Sequence, residues 1–187
     1  MGRNLKIVGI DYSLSCPCLC IQEKNNTEFI NSKIHFLTDN KKMTGVFENI
    51  TGHIHLDYTS PEQRYEQIAF WTLKQLDKIS EIEKVFIEDY SFGSKGRTFH
   101  IAENAGLLKY QLYKLGISFV TIPPTTIKKY YTGKGNADKN KMEESFRNQT
   151  GIDLYKTLGR DRGKNVISPI SDIVDSYAIA KYGQNNT

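Results

Sequence analysis

Twice this chain runs a short apolar stretch straight into a carboxylate. Ile7-Val8-Gly9-Ile10 ends in Asp11, and Val85-Phe86-Ile87 ends in Glu88. Both read as buried strands whose last side chain carries a charge to the sheet edge. Aspartate is depleted in strands and a buried, unpaired carboxylate is costly, so each position asks for a reason. For Asp11 alone, capping a turn or pairing with a basic residue would be reason enough. The repetition at Glu88 weighs against that.

The elements between and around these strands set the fold class. Leu5–Asp11, Leu14–Gln22 and Glu28–Leu37 read as a meander of three antiparallel strands, with a polar turn at 23–26. Residues 38–60 show no clean period and read as a long excursion with at most one short strand. Ser60-Pro61-Glu62-Gln63 is a helix start: an N-cap serine, proline at the first helical position and an acid in the first turn. That helix runs to about Ser80 and is followed by the strand Lys84–Glu88. After the loop Tyr90–Arg97, a helix is predicted over Thr98–Leu115, with Ile101, Ala105, Leu108, Leu112 and Leu115 on its apolar face. Gly106 within it costs about 1 kcal/mol relative to alanine, which predicts close packing there.

A strand over Ile117–Ile122 comes next, then a helix from Pro124 to about Tyr131 and the glycine-rich loop Thr132–Asn136. A further helix starts at Asn136 or Asp138 and reaches about Asn148. The 151–167 segment holds a basic, mobile loop. The last helix spans Asp172–Tyr182, with 183–187 a frayed tail. Strands linked by crossover helices imply an α/β fold. Its mixed five-stranded sheet has three antiparallel strands and then parallel additions, flanked by helices. Ligands of such sheets lie at the carboxyl ends of the parallel strands, where Asp11 and Glu88 sit. A length of 187 residues suits one domain over 1–187.

The last helix adds a second acidic pair. Asp172 and Asp175 are three apart and share one helix face, among Ile170, Ile173, Val174, Tyr177, Ala178, Ile179 and Ala180. A helix apolar on nearly every side packs into the domain, and two like charges on it repel unless a cation lies between them. Together with Asp11 and Glu88 they give four hard oxygen donors, a set that selects Mg²⁺, with Mn²⁺ able to substitute. Paired ions of that kind serve phosphodiester hydrolysis.

Charge is divided along the chain. Residues 1–92 carry a net −3 and residues 93–164 a net +8, within a total of +4. A basic lobe beside an acidic centre suits a polyanionic partner held near metal. Cys16, Cys18 and Cys20 form a poor disulfide framework and read as reduced core thiols lining one strand face. The alternative is a zinc site completed by His53 and His55. No apolar run approaches the ~20 residues of a bilayer span, and the expected location is cytoplasmic, without membrane attachment.

These motifs, from residue 5 to about 183, resemble the RuvC-type Holliday junction resolvases of the RNase H-like superfamily. Ile7-Val8-Gly9-Ile10-Asp11 is similar to the family's Gly-Ile-Asp opening, Phe86-Ile87-Glu88 to its strand-borne second acid, and Ser171-Asp172-Ile173-Val174-Asp175 to its final Asp-x-x-Asp. Thr132-Gly133-Lys134-Gly135-Asn136-Ala137-Asp138-Lys139 resembles its glycine-rich loop. The resemblance implies an RNase H-like nuclease that resolves four-way DNA junctions by two-metal hydrolysis, as a homodimer making paired symmetric nicks. Asp11, Glu88, Asp172 and Asp175 would be its catalytic and metal-binding residues, with two Mg²⁺ ions per site. Lys128 and Lys139 would be its DNA-contacting lysines.

Lys95, Arg97 and Lys134 are further phosphate-binding candidates, and Phe92 and Tyr90 candidates for stacking on bases. The helix over 98–115 is the candidate dimer face. Tyr12-Ser13 replace the family's usual proline and glycine, and the 38–60 and 151–170 segments are long. The likeness is therefore to a divergent, bacteriophage-type member, acting in host cytoplasm if viral. Competing readings are another RNase H-like nuclease acting on flaps or RNA–DNA hybrids, an actin-like ATPase, for which the chain is too short, and a non-catalytic DNA-binding protein.

Overall fold

The computed structural model describes residues 5–90 and 98–187. Its strands are β1 (Lys6–Asp11), β2 (Cys18–Glu23), β3 (Lys33–Thr38), β4 (Gly45–Phe47), β5 (Ile50–Ile54), β6 (Ile82–Glu88) and β7 (Phe119–Ile122). Its helices are α1 (Pro61–Leu76), α2 (Thr98–Lys114), α3 (Pro124–Thr132), α4 (Lys139–Thr150), α5 (Leu154–Thr157) and α6 (Ile170–Gln184). The strands form one mixed sheet in the order β4-β5-β3-β2-β1-β6-β7. The meander β1-β2-β3 is antiparallel, while β6 and β7 add in parallel beside β1.

Seven strands stand where five were expected. The excursion 38–60 supplies the other two: β5 pairs in parallel with β3, and β4 closes the edge against β5. Its period is hidden because Gly52 occupies an inward position of β5. A β-carbon there would strike the carbonyl of Met43, from the turn that crosses over the strand. The segment 28–32 makes a short 3-10 turn rather than the start of a strand.

Strand alternation decides which face each side chain takes. On β1, Ile7 joins the core under α6, while Val8 and Ile10 join the core under α1 and α2. On β6, Phe86 faces α6, and Val85 and Ile87 face the opposite way. By the same parity Asp11 and Glu88 point to the α6 side. Small side chains let α6 lie close upon that face. Gly9 has no room for a β-carbon, which would land on the backbone of Ser176 and Ala180. Its partner across the ladder is Cys20, and Cys18 stands opposite Asp11.

All three cysteines are buried, free thiols of the α6-side core, and Ser176 Oγ donates to Cys18 Sγ at 3.2 Å. Cys16 lies ahead of β2 rather than in it. His53 packs against Trp71 of α1, on the other face of the sheet, and His55 bonds the Ser15 carbonyl at 3.0 Å. The cysteine face and these histidines thus lie apart.

In three places the structure differs from expectation: the 151–167 segment, the end of the last helix and α2. The 151–167 segment forms α5 and a clamped strap. Arg162 reaches Glu143 and Asp153, each at 3.0 Å, and Val166 N donates to Asn140 Oδ1 at 2.9 Å. The last helix α6 continues to Gln184, whose Nε2 donates to the Glu23 carbonyl at 2.8 Å. On α2, Gly106 has open space where a β-carbon would stand, and Leu115 is exposed beyond the helix end. No helix among the described residues is long and apolar enough to cross a membrane.

Candidate active site

The four acids meet in one cleft of about 790 Å³ at the carboxyl end of β1 and β6. Asp11 ends β1 and Glu88 ends β6, each one residue past the parallel pair Ile10 and Ile87. Asp172 and Asp175 enter from the first turns of α6, one turn apart on the side that looks into the cleft. Asp172 is buried, and Ser171 Oγ donates to its Oδ2 at 3.1 Å. Lys139, the first residue of α4, donates from Nζ to the same Ser171 Oγ at 3.2 Å. A lysine and an acid are thus joined through one hydroxyl. The sequence reading missed Ser171, because a serine beside an aspartate carries no distinguishing pattern.

The electrostatics of the cleft follow from crowding four carboxyls into low dielectric. Burial raises Asp11 well above the ordinary carboxylate range, and the charges of Asp172, Glu88 and Asp175 add to the shift while Lys139 opposes it. Glu88 is pushed up to about 8, first by burial and then by Asp175, against the pull of Lys128. Asp175 is pushed up to about 7 by burial and Asp172, opposed by Lys139 and Lys128. The Cys16 thiol is raised far above its usual range by burial and by Asp172 and Asp11, so it stays protonated at neutral pH.

Among the described residues, no three His, Cys, Asp or Glu side chains converge tightly enough to enclose an ion as they stand. The donor chemistry nonetheless fits a hard divalent cation. Four oxygen donors share one cleft, and burial among like charges raises three of them, Asp11, Glu88 and Asp175.

Lys128 of α3 and Lys139 line the cleft with the acids, as does Tyr90, whose ring lies 5.4 Å from Lys109 Nζ. Lys134 is exposed on the glycine-rich loop and is not among the residues lining the cleft. Phe92, Lys95 and Arg97 lie outside the described residues. The opposite wall holds groups that no motif announced: Tyr58, Arg64 and Tyr65 from around the start of α1, and His100 from α2. Tyr65 Oη and His100 Nδ1 are 2.6 Å apart. No local pattern could have found them, since their nearness to Asp11 is purely tertiary.

A seven-stranded mixed sheet flanked by helices is an RNase H-like fold. Within that class the likeness is to RuvC. The fold matches Thermus thermophilus RuvC with a TM-score of 0.58 at 16% identity, covering 97% of both chains. It matches T. thermophilus RuvC in complex with a Holliday junction substrate with a TM-score of 0.62 at 15% identity, covering 97% of this chain and 96% of that one. For the yeast mitochondrial Holliday junction resolvase the TM-score is 0.58 at 14% identity, covering 98% and 79%.

In sequence, the crossover junction endodeoxyribonuclease RuvC of one Synechococcus strain is 30% identical over 81 residues, 43% of this chain and 51% of that protein. That of a second strain is 29% identical over 103 residues, 54% and 66%. The chain therefore spans less than two thirds of the length of the curated relatives it matches. No family model matches it. In fold, and in sequence over part of its length, the chain is similar to RuvC proteins.

Proposed function

We propose that this chain is a structure-selective DNA endonuclease that resolves four-way junctions by metal-dependent phosphodiester hydrolysis, with residues 1–187 forming one nuclease unit. The observation that carries the reading is the single cleft in which Asp11, Glu88, Asp172 and Asp175 stand beside Lys128 and Lys139. The likeness to RuvC proteins supports it. Asp11, Glu88, Asp172 and Asp175 would hold two Mg²⁺ ions, with Mn²⁺ able to substitute. When bound, these ions supply the charge that activates water and stabilises the departing 3′-oxygen.

The chain's own residues do the rest. Lys128 and Lys139 offset the acids and bind the flanking phosphates, which positions the strand without reading its bases. Ser171 holds the Asp172 carboxylate in place between α6 and Lys139. Asp11, set at the rigid end of a central strand, orients the site. Lys95, Arg97 and Lys134 would extend the phosphate contacts, and Phe92 and Tyr90 would be the residues that stack on bases. Two such sites on one junction require a homodimer. An exposed apolar stripe on α2 and just beyond it, with Phe99, Tyr110, Tyr113 and Leu115, supports that helix as the contact.

Cleavage of matched four-way, flap and RNA–DNA hybrid substrates with Mg²⁺ tests the reading. The four-way junction is cut preferentially, and Asp11→Asn abolishes cutting while junction binding is kept or tightened. Preferential cutting of the hybrid sinks the proposal.

A further inference from the structure

Hydrolysis needs the acids and the lysines beside them, yet the cleft continues past them along the α1–α2 wall, over Ser13–Ser15, Tyr58, Arg64, Tyr65 and His100. On that wall Arg64 is held on two sides. Its Nη1 donates to Tyr58 Oη at 2.9 Å and its Nη2 to the Leu14 carbonyl at 2.8 Å, and its guanidinium lies 4.8 Å from the Tyr58 ring centre. Neither partner is an anion. Some other cations are matched with acids, as Lys109 is with Asp89 and Arg162 with Glu143 and Asp153. Among the described residues no carboxylate comes within 4.0 Å of the Arg64 side-chain nitrogens, and its Nε is buried without a hydrogen-bond partner.

We propose that Arg64, steadied by Tyr58, is a second phosphate seat, on the wall opposite Lys128 and Lys139, that takes a backbone phosphate of the DNA strand crossing the acids. The proposal rests on the DNA-cleaving reading above. A guanidinium fixed in advance by neutral partners loses little rotamer freedom on binding and keeps its full charge for a phosphate. Its placement is also tied to the reacting centre. Leu14, which anchors Arg64, lies in the turn after Asp11, and that turn is stiffened by Cys16 N donating to Ser13 Oγ at 3.0 Å. A strand seated between Arg64 and the lysines would be gripped from both faces of the sheet, with the acids beneath it.

The rival account makes Arg64 a structural tie for the 13–16 turn and nothing more. Junction affinity against salt, together with single methylphosphonate linkages walked along the bound strand, separates the two. In Arg64→Ala the slope of log affinity against log salt falls by about one. In wild type, one neutral linkage outside the scissile position weakens binding by roughly tenfold or more, the scale of a charge-assisted bond. That linkage costs nothing further in Arg64→Ala but keeps its full cost in Lys128→Ala. Should Arg64→Ala not fold, Arg64→Gln, which keeps an amide donor for Leu14 and loses the charge, is read in the same assay.

An unchanged slope and the same linkage penalty in the Arg64 variants overturn the seat. If Lys128→Ala still loses salt-dependent binding, the DNA reading stands and only the seat falls. If wild type shows no salt-dependent junction binding, both fall.

Discussion

The two faces of the central sheet are built to different ends. On one, α6 is buried on nearly every side, from Ile170 to Gly183, and lies directly on Gly9, Cys18 and Cys20. On the other, α2 buries only Asn104, Ala105, Leu108 and Leu112, and leaves Phe99, Tyr110 and Tyr113 exposed. The difference teaches where precision is needed. The face that carries Asp172 and Asp175 is packed without slack, and it accepts the electrostatic cost visible in the raised carboxyls of Asp11, Glu88 and Asp175. The face that carries α1 and α2 places Arg64 and Tyr65 at the cleft and keeps its outer surface free.

The sharpest way to break this contrast is to remove one charge from the tightly packed face. Asp175→Asn is expected to lower junction cleavage with Mg²⁺ by at least roughly 10²–10³-fold, the scale on which a group acting on the developing charge is lost. Single-turnover rates measure it, and a loss of less than tenfold removes Asp175 from the site.

Next in size is Gly9→Ala. The added methyl meets helix backbone rather than a yielding side chain, so α6 must lift off β1. The expected cost is about 4 kcal/mol or more, at the extreme of single substitutions, read by urea unfolding. A cost below about 1 kcal/mol would show that α6 has room to move.

The third test is pH, in metal-free protein. Glu88 and Asp175 hold their protons in the fold up to about 8 and about 7, whereas the unfolded chain releases them near 4.5 and 3.8. Between those limits the folded state binds more protons than the unfolded one, so stability falls as pH rises from about 4.5 to about 8. Glu88→Gln removes its part of that slope and stabilises the metal-free protein at pH 8 by on the order of 2 kcal/mol, a few degrees in thermal midpoint per kcal/mol. Thermal unfolding across pH checks it, and a wild-type curve rising through that window contradicts the reading. Added Mg²⁺ should restore wild-type stability at the alkaline end.

The smallest effect belongs to the open face. Gly106→Ala on α2 meets nothing within 4 Å and should stabilise by about 0.5–1 kcal/mol, from helix propensity and reduced unfolded-state entropy. A loss instead would mean that a neighbour covers Gly106 in solution.

Much of the site was legible before any coordinates. Apolar runs ending in Asp11 and Glu88 marked two strand ends, and the all-round apolar pattern of α6 announced its burial with two acids aboard. These are local properties: alternation and periodicity are set by backbone geometry and survive any arrangement of the rest. Lys128 and Lys139 were reached through the resemblance of the glycine-rich loop. The excursion at 38–60 was illegible because Gly52 breaks the apolar alternation that would have marked β5. Gly106 misled because a helical glycine reads alike whether it meets a neighbour or open space.

What the sequence by itself determined, then, is the apolar strands that end in Asp11 and Glu88 and the buried helix that carries Asp172 and Asp175. Only the tertiary structure decided that Ser171 joins Lys139 to Asp172, that Arg162 clamps the 151–167 strap, and that Arg64 stands across the cleft from the lysines. Each of these is a distance between elements far apart in the chain. Such distances come from the packing of whole helices against the sheet, which no local pattern of residues encodes.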